Sequence, residues 1–222
     1  MDVVRHCRDL ISAADKPRFW ASLYAPAERR GGLYALYAFD LELAAVQARV
    51  RDPVAGEIRL QWWREALEGS RAGEAAANPV AAALLATMSQ FELPVALLLT
   101  LVDARGADLY DEPIADLERY GNETDGAVVY GAARILGGGN DVEHIARHAG
   151  VARSFAAAKQ PEGARYHLDA AAALLPDAPQ SILPALLPAA VIRPQLDRDP
   201  LPLWRQQWLI WRAARHPKRI FG

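Results

Sequence analysis

Ala27-Glu-Arg-Arg-Gly-Gly-Leu-Tyr-Ala-Leu-Tyr-Ala-Phe-Asp-Leu-Glu-Leu-Ala-Ala-Val-Gln-Ala-Arg-Val50 is the stretch on which the fold turns. Leu33, Leu36, Tyr37, Asp40, Ala44, Gln47 and Ala48 recur at steps of three and four, which puts them on one stripe of a helix. Phe39, Leu43, Val46 and Val50 form a second apolar stripe beside it. A helix apolar over so much of its circumference belongs inside a bundle. Asp40 and Glu42 then need partners or water, because an unpaired buried carboxylate is costly or protonates. Two readings stand open: a polar pocket wall, or salt bridges to Arg59 or Arg64 on the following helix.

Outward from that helix the chain reads as helix after helix. Alanine and leucine dominate, and no stretch alternates apolar and polar residues long enough for a sheet. The pattern predicts helices over 3–14, 16–24, 27–50, 54–70, 79–91, 94–110, 114–136, 140–158, 165–175, 180–192 and 201–215. Prolines punctuate them. Asn78-Pro79 pairs a capping side chain with a first-turn proline, and Arg51-Asp52-Pro53 closes the long helix. Gly137-Gly138-Gly139 ends another, and Asn140-Asp141 can cap the next. No repeat or low-complexity linker divides residues 1–222, so the expectation is a single all-α domain.

The chain has 222 residues, long enough to bury roughly 70% of its unfolded surface without a disulfide or metal staple. Its 25 Lys and Arg against 27 Asp and Glu give a net charge of −2, which argues against nucleic acid as a partner. One cysteine, Cys7, excludes a disulfide framework and a Cys-rich metal site; it reads as a small buried apolar residue. The first ten residues carry Asp2, Arg5, Arg8 and Asp9, unlike a signal peptide. The apolar region Val80–Val102 is interrupted by Gln90, Glu92 and Pro94, and Ser181–Ile192 by Pro184 and Pro188. No transmembrane helix is expected, and the chain is placed in the cytoplasm or at a membrane periphery.

Few residues suggest chemistry by spacing alone. Asp108, Asp111 and Glu112 have helical metal spacing, but Pro113 follows at once and a solvated terminus explains them. His144 and His148 stand four apart beside Asp141, Glu143 and Arg147, which reads as an exposed polar face. No Gly-x-Ser-x-Gly elbow or phosphate-binding loop occurs, and the triple glycine follows a helix rather than a strand. Near the C-terminus Trp204, Trp208 and Trp211 share one helix face among Arg205, Arg212, Arg215, Lys218 and Arg219. From Arg198 onward six basic residues meet one acidic residue, Asp199. The tryptophans either seal the end of the bundle or, with Arg212 and Arg215, contact an anionic membrane surface or a partner.

The longest motifs carry a resemblance. Lys16-Pro-Arg-Phe-Trp-Ala-Ser-Leu-Tyr24, Glu28-Arg-Arg30, Leu33-Tyr-Ala-Leu-Tyr-Ala-Phe39 and Ile58-Arg-Leu-Gln-Trp-Trp-Arg-Glu-Ala-Leu67 resemble the squalene/phytoene synthase family. Pro79-Val80, Asp108-Leu109-Tyr110 and Tyr120 follow at about the family's spacing, and beyond residue 137 the likeness is faint. The resemblance implies a single orthogonal helical bundle with a central cavity, the isoprenoid synthase-like fold. It implies, in active members, head-to-head joining of two prenyl diphosphates by Mg²⁺ held between Asp-x-x-x-Asp pairs. Aligned on Phe39, the first such motif falls on Ala44-Ala45-Val46-Gln47-Ala48, with alanine at both ligand positions. The second falls near Gly150–Lys159, which holds no carboxylate, while Arg165-Tyr166 resembles the element that follows it. Asp40 and Glu42, two apart, point to different sides of the helix and do not make a substitute pair.

Phe39-Asp-Leu-Glu-Leu-Ala-Ala-Val46 is similar to the non-catalytic branch of the family that serves in assembling respiratory complex I. The expectation is therefore a synthase-like protein without catalytic residues, metal or cofactor, acting in assembly of a membrane protein complex or binding an isoprenoid or other lipid. The alternative is an active, Mg²⁺-dependent prenyl transferase using displaced carboxylates such as Asp40, Glu42, Asp103 and Asp108. The residues expected on the cavity wall are Tyr34, Tyr37, Asp40, Ala44, Gln47, Ala48, Trp62 and Tyr120. Glu42, Arg59, Gln61 and Arg64 are expected to brace the central helices.

Overall fold

The computed structural model describes residues 2–110, 113–197 and 200–222. Asp111 and Glu112 of the acidic trio, and Arg198 and Asp199 of the basic C-terminal stretch, lie outside the described residues. Within them the chain is helical throughout, with no strand. The elements are α1 (Val3–Ala14), α2 (Lys16–Ser22), α3 (Ala27–Ala44), α4 (Val46–Arg49), α5 (Pro53–Leu67), α6 (Ala72–Ala77), α7 (Pro79–Phe91) and α8 (Val95–Ala104). There follow α9 (Leu117–Gly121), α10 (Ala127–Ile135), α11 (Glu143–Ala157), α12 (Pro161–Leu174), α13 (Leu183–Leu186), α14 (Ile192–Asp197) and α15 (Leu203–Arg215).

Local chemistry sets these boundaries. Asp2, Asp15, Asp52, Asn78 and Asp116 each accept hydrogen bonds from first-turn amides of the helix they open. Pro17, Pro53, Pro79 and Pro161 occupy first-turn positions, where a missing N–H costs nothing. Lys159, at φ 57°, takes the left-handed conformation that ends α11 just before Pro161 starts α12. The sequence pattern placed the start of that helix at 165 and passed over α6 entirely.

At the centre runs α3, whose residues Gly32 to Asp40 are all buried. It packs against α1, α7 and α10, while α11 pairs with α12 and packs on α10 and α9. The helix predicted over 27–50 breaks at Ala45, whose φ of −81° and ψ of −5° end α3. The chain turns there to bury Val46, and Ala44, Gln47 and Ala48 are left in water. Between α9 and α10 the backbone widens into one π turn, Asn122–Gly126. Gly150 of α11 lies against it so closely that an added Cβ would stand 2.3 Å from the amide nitrogen of Gly126. The expected single helix over 180–192 is a series of short turns instead. A 3₁₀ turn (Gln180–Ile182), α13, a second 3₁₀ turn (Leu187–Val191) and α14 succeed one another around Pro184, Pro188 and Pro194.

Candidate functional site: a buried arginine–aspartate network beside a cavity

Arg18 is the hub. Asp15 caps α2 by accepting from the Arg18 amide at 3.0 Å, which fixes the first turn and directs the Arg18 side chain toward the middle of the bundle. There it is only 2% exposed. Its Nη1 donates to Asp40 Oδ2 at 2.6 Å and its Nη2 to Asp125 Oδ1 at 3.1 Å, and its guanidinium lies over the Tyr37 ring. Arg105 approaches Asp40 from the other side, donating from Nη2 to Oδ1 at 2.7 Å. Its Nη1 donates to Asp108 and to the Tyr120 hydroxyl, which in turn donates to Asp108 at 2.5 Å. Arg153 completes the set, donating to Asp15 Oδ2 at 2.8 Å and standing 3.3 Å from Asp125 Oδ1. Ser154 donates to the other Asp125 oxygen at 2.8 Å. The Gly150 contact and the π turn are what bring Asp125 level with Arg153 and Ser154.

Electrostatics follow from this geometry. Burial alone would raise the Asp40 carboxyl, but Arg105 and Arg18 outweigh it and hold it far below the usual carboxylate range. Asp15 is lowered in the same way, burial being overcome by Arg153 and Arg18. Burial would lower Arg18 and Arg105, yet their aspartates push both above the ordinary arginine value, so both stay charged. Three guanidiniums thus face four carboxylates, with Arg105 Nε buried and left without a partner among the described residues.

The network forms the polar edge of a cavity of about 760 Å³. Asp15, Arg18, Tyr37 and Arg153 line that edge; Leu41, Val129, Leu186, Val191 and Ile192 give the apolar wall, and Gln206 of α15 reaches in from the far side. Tyr37 is 2% exposed, and its hydroxyl has no hydrogen-bond partner among the described residues. Burial pushes that hydroxyl up to about 12, so it remains a proton donor at neutral pH.

The residues expected on this wall are distributed differently. Tyr37 lines the cavity, whereas Asp40 lies behind Arg18 and outside the lining. Tyr34 is buried against Phe19. Ala44, Gln47 and Ala48 are exposed, because the break at Ala45 turns them away. Tyr120 borders a separate hollow of about 450 Å³. Trp62 borders a third of about 180 Å³ with Glu42 and Arg59, and its indole N–H donates to Glu74 at 2.8 Å. The bracing also differs: Glu42 pairs with Arg49, Arg64 with Asp103, and Gln61 with Glu65, all near the surface, while Arg59 is exposed. Arg59 is exposed and Arg64 turns to Asp103 of α8, and Arg18 and Arg105 hold Asp40 in their place. Cys7 is fully buried, and burial raises its thiol to about 11. His148 is half-buried rather than exposed, with its Nδ1 2.9 Å from Nδ1 of His167 on α12.

A divalent cation finds no suitable ligand set here. Among the described residues no three His, Cys, Asp or Glu side chains converge to hold one. Asp40, Asp15 and Asp125 each accept from arginines, whose positive charge opposes a second cation at the same oxygens. Asp40, Glu42, Asp103 and Asp108 do not converge on one cavity. Asp40 and Asp108 are joined through Arg105, and the other two are paired elsewhere. No helix among the described residues is long and apolar enough to cross a membrane.

Comparison with known proteins agrees with this architecture. The fold is that of a ligand-bound dehydrosqualene synthase, with a TM-score of 0.80 at 15% identity over 97% of this chain and 96% of that one. The squalene synthase HpnC from Alicyclobacillus acidocaldarius superposes with a TM-score of 0.59 at 20% identity, over 96% and 93% of the two chains. In sequence the chain is similar to NADH dehydrogenase (ubiquinone) complex I, assembly factor 6, from Homo sapiens, 32% identical over 152 residues. The Rattus norvegicus protein of the same name is 33% identical over 153 residues. These alignments cover 67% of this chain and 46% of the relatives, so the chain spans about half the length of the curated relatives it matches. The Squalene/phytoene synthase profile matches residues 11–157, from the end of α1 through α11, and with it the helices that build the arginine–aspartate network. By that match and those identities, the chain belongs to the squalene/phytoene synthase family.

Proposed function

We propose that the protein is a non-catalytic member of its family. It would serve, without metal or cofactor, in the assembly of a membrane-bound respiratory NADH dehydrogenase. The observation that carries this reading is Asp40: both its oxygens accept from buried arginines, at 2.6 and 2.7 Å, in the middle of the bundle. A carboxylate so engaged is a structural anion and not an open ligand. Ala44 and Ala48, where the family resemblance puts the first metal motif, have no side-chain oxygen and face water. The names of the relatives, assembly factors of complex I, supply the process.

The cavity suits a lipid, isoprenoid or other. Its wall is largely apolar, its polar edge sets Arg18, Arg153 and Lys159 against Asp15, and the Tyr37 hydroxyl is a donor awaiting an acceptor such as a carbonyl. The protein would work as a peripheral component at a membrane. The test is deletion of the gene followed by native-gel analysis of the NADH dehydrogenase and rescue with the intact protein. Loss and restoration of the assembled complex are expected, and a complex that forms normally without the protein overturns the assembly role. Purified protein incubated with Mg²⁺ and labelled prenyl diphosphates should release no diphosphate. Metal-dependent release would establish the alternative, an active prenyl transferase.

A further inference from the structure

We infer that the outer face of α15 is a docking surface for an anionic lipid bilayer, on which the protein lies without inserting a span. The helix has two faces. Gln206, Leu209, Ile210 and Ala213 are buried against α2 and the Leu187–Val191 turn. On the opposite side Trp204 is 70% exposed, Trp208 45% and Trp211 43%, with Leu203 beside them. Three large rings thus stand in water along roughly 10 Å of one helix edge. Tryptophan is ordinarily well buried in a soluble fold, so a row of them outside marks a surface that is covered in use.

The charges say by what. Residues 200–222 contain no Asp or Glu, and Arg205, Arg212, Arg215, Lys218 and Arg219 make no ion pair with any described residue. The Arg212 guanidinium lies over the Trp208 ring at 4.6 Å and Arg215 over Trp211 at 4.5 Å. Ring and cation are therefore presented together, the ring for the level of the lipid carbonyls and the cation for phosphate. A field of one sign along the whole edge, interleaved with tryptophan, matches a continuous anionic sheet. At 13 residues α15 is too short to cross the bilayer and suited to lying in its surface. Because Gln206 on its inner side lines the cavity, docking would set one cavity wall against the membrane.

This inference deepens the peripheral-membrane part of the proposed function, and it is tested without any respiratory complex. The intact protein is floated with phosphatidylcholine vesicles prepared with and without phosphatidylglycerol. It should float with the anionic vesicles alone and be released by high salt. The triple variant Trp204→Ala, Trp208→Ala, Trp211→Ala should bind them about 100-fold more weakly. Arg215→Glu with Lys218→Glu should weaken binding at least about tenfold. All substituted side chains are exposed, and unchanged circular dichroism and melting verify that both variants fold. Failure of the parent to float with anionic vesicles, or flotation of the triple variant like the parent, overturns the inference and leaves the assembly role to its own test.

Discussion

Replacing Asp40 by asparagine removes one negative charge from the point where two buried guanidiniums meet. The geometry sets the cost. Asparagine can still accept from one arginine through its carbonyl, but its amide turns a donor toward the other, at a site where the present contacts are 2.6 and 2.7 Å. Arg18 keeps Asp125 at 3.1 Å and Arg105 keeps Asp108 at 3.2 Å, so neither is stranded. Breaking a buried ion pair costs about 3–5 kcal/mol, and the remaining partners place this substitution near about 3. For a chain of this size that lowers Tm by about 6–12 °C. Urea and thermal melts at neutral pH measure it. The pH dependence supplies an internal check: the folded Asp40 lies below its ordinary value of 3.8, so its stabilisation is present above that value and is lost as pH falls through the folded one. The gap between parent and variant should therefore be widest near neutrality and close in acid. A variant that melts within about 2 °C of the parent at pH 7 would refute the claim that this network holds the bundle together.

Gly150→Ala should destabilise by about 3 kcal/mol, because the new methyl meets the Gly126 nitrogen at 2.3 Å and the Asp125 carbonyl at 2.4 Å, backbone atoms that cannot swing aside. Gly73→Ala, whose methyl meets nothing within 4 Å, should instead gain about 0.5 kcal/mol, and paired denaturant melts separate the two. His148 and His167 face each other through Nδ1 atoms 2.9 Å apart, a distance that one proton can bridge and two cannot. Burial lowers both below the ordinary 6.5; His144 and His148 add to this, and Glu118 opposes it. Their neutral forms are favoured on folding, so that stability is complete above about pH 6.5 and declines as pH falls through the folded values. His148→Leu should flatten the melting profile below about pH 6.5, and an unchanged slope would exclude the pair as its source.

The helices and the buried character of residues 33–40 were readable in the sequence, because both rest on local spacing and capping groups. The partners of Asp40 were not readable. Arg59 and Arg64 looked closest along the chain, yet the partners are Arg18, 22 positions before, and Arg105, 65 positions after. Such pairing depends on helix crossings, which periodicity does not encode. A usable signal was present at Arg18: a cation one residue before Phe19 and Trp20, directly after an Asp15-Lys-Pro start, belongs to a helix that faces the core. The break at Ala45 had no proline or glycine to announce it, so the stripe was carried through to Ala48. The outward turn of Trp204, Trp208 and Trp211 was equally hidden, since two apolar faces compete on α15 and packing decides which is buried.

The proline-interrupted wall of the cavity, residues 180–197, consists of turns of three to six residues. Pieces so short cannot sustain themselves as helices, and they persist only while side chains such as Leu186 and Ile192 stay docked. Amide protons there should exchange with deuterium through small, frequent openings, whereas those of α3 wait for the whole molecule to unfold. A guest in the hollow would then come and go by the breathing of this one panel, with no hinge between rigid bodies. Its residence time would be set by how tightly a handful of leucines and isoleucines clasp their neighbours.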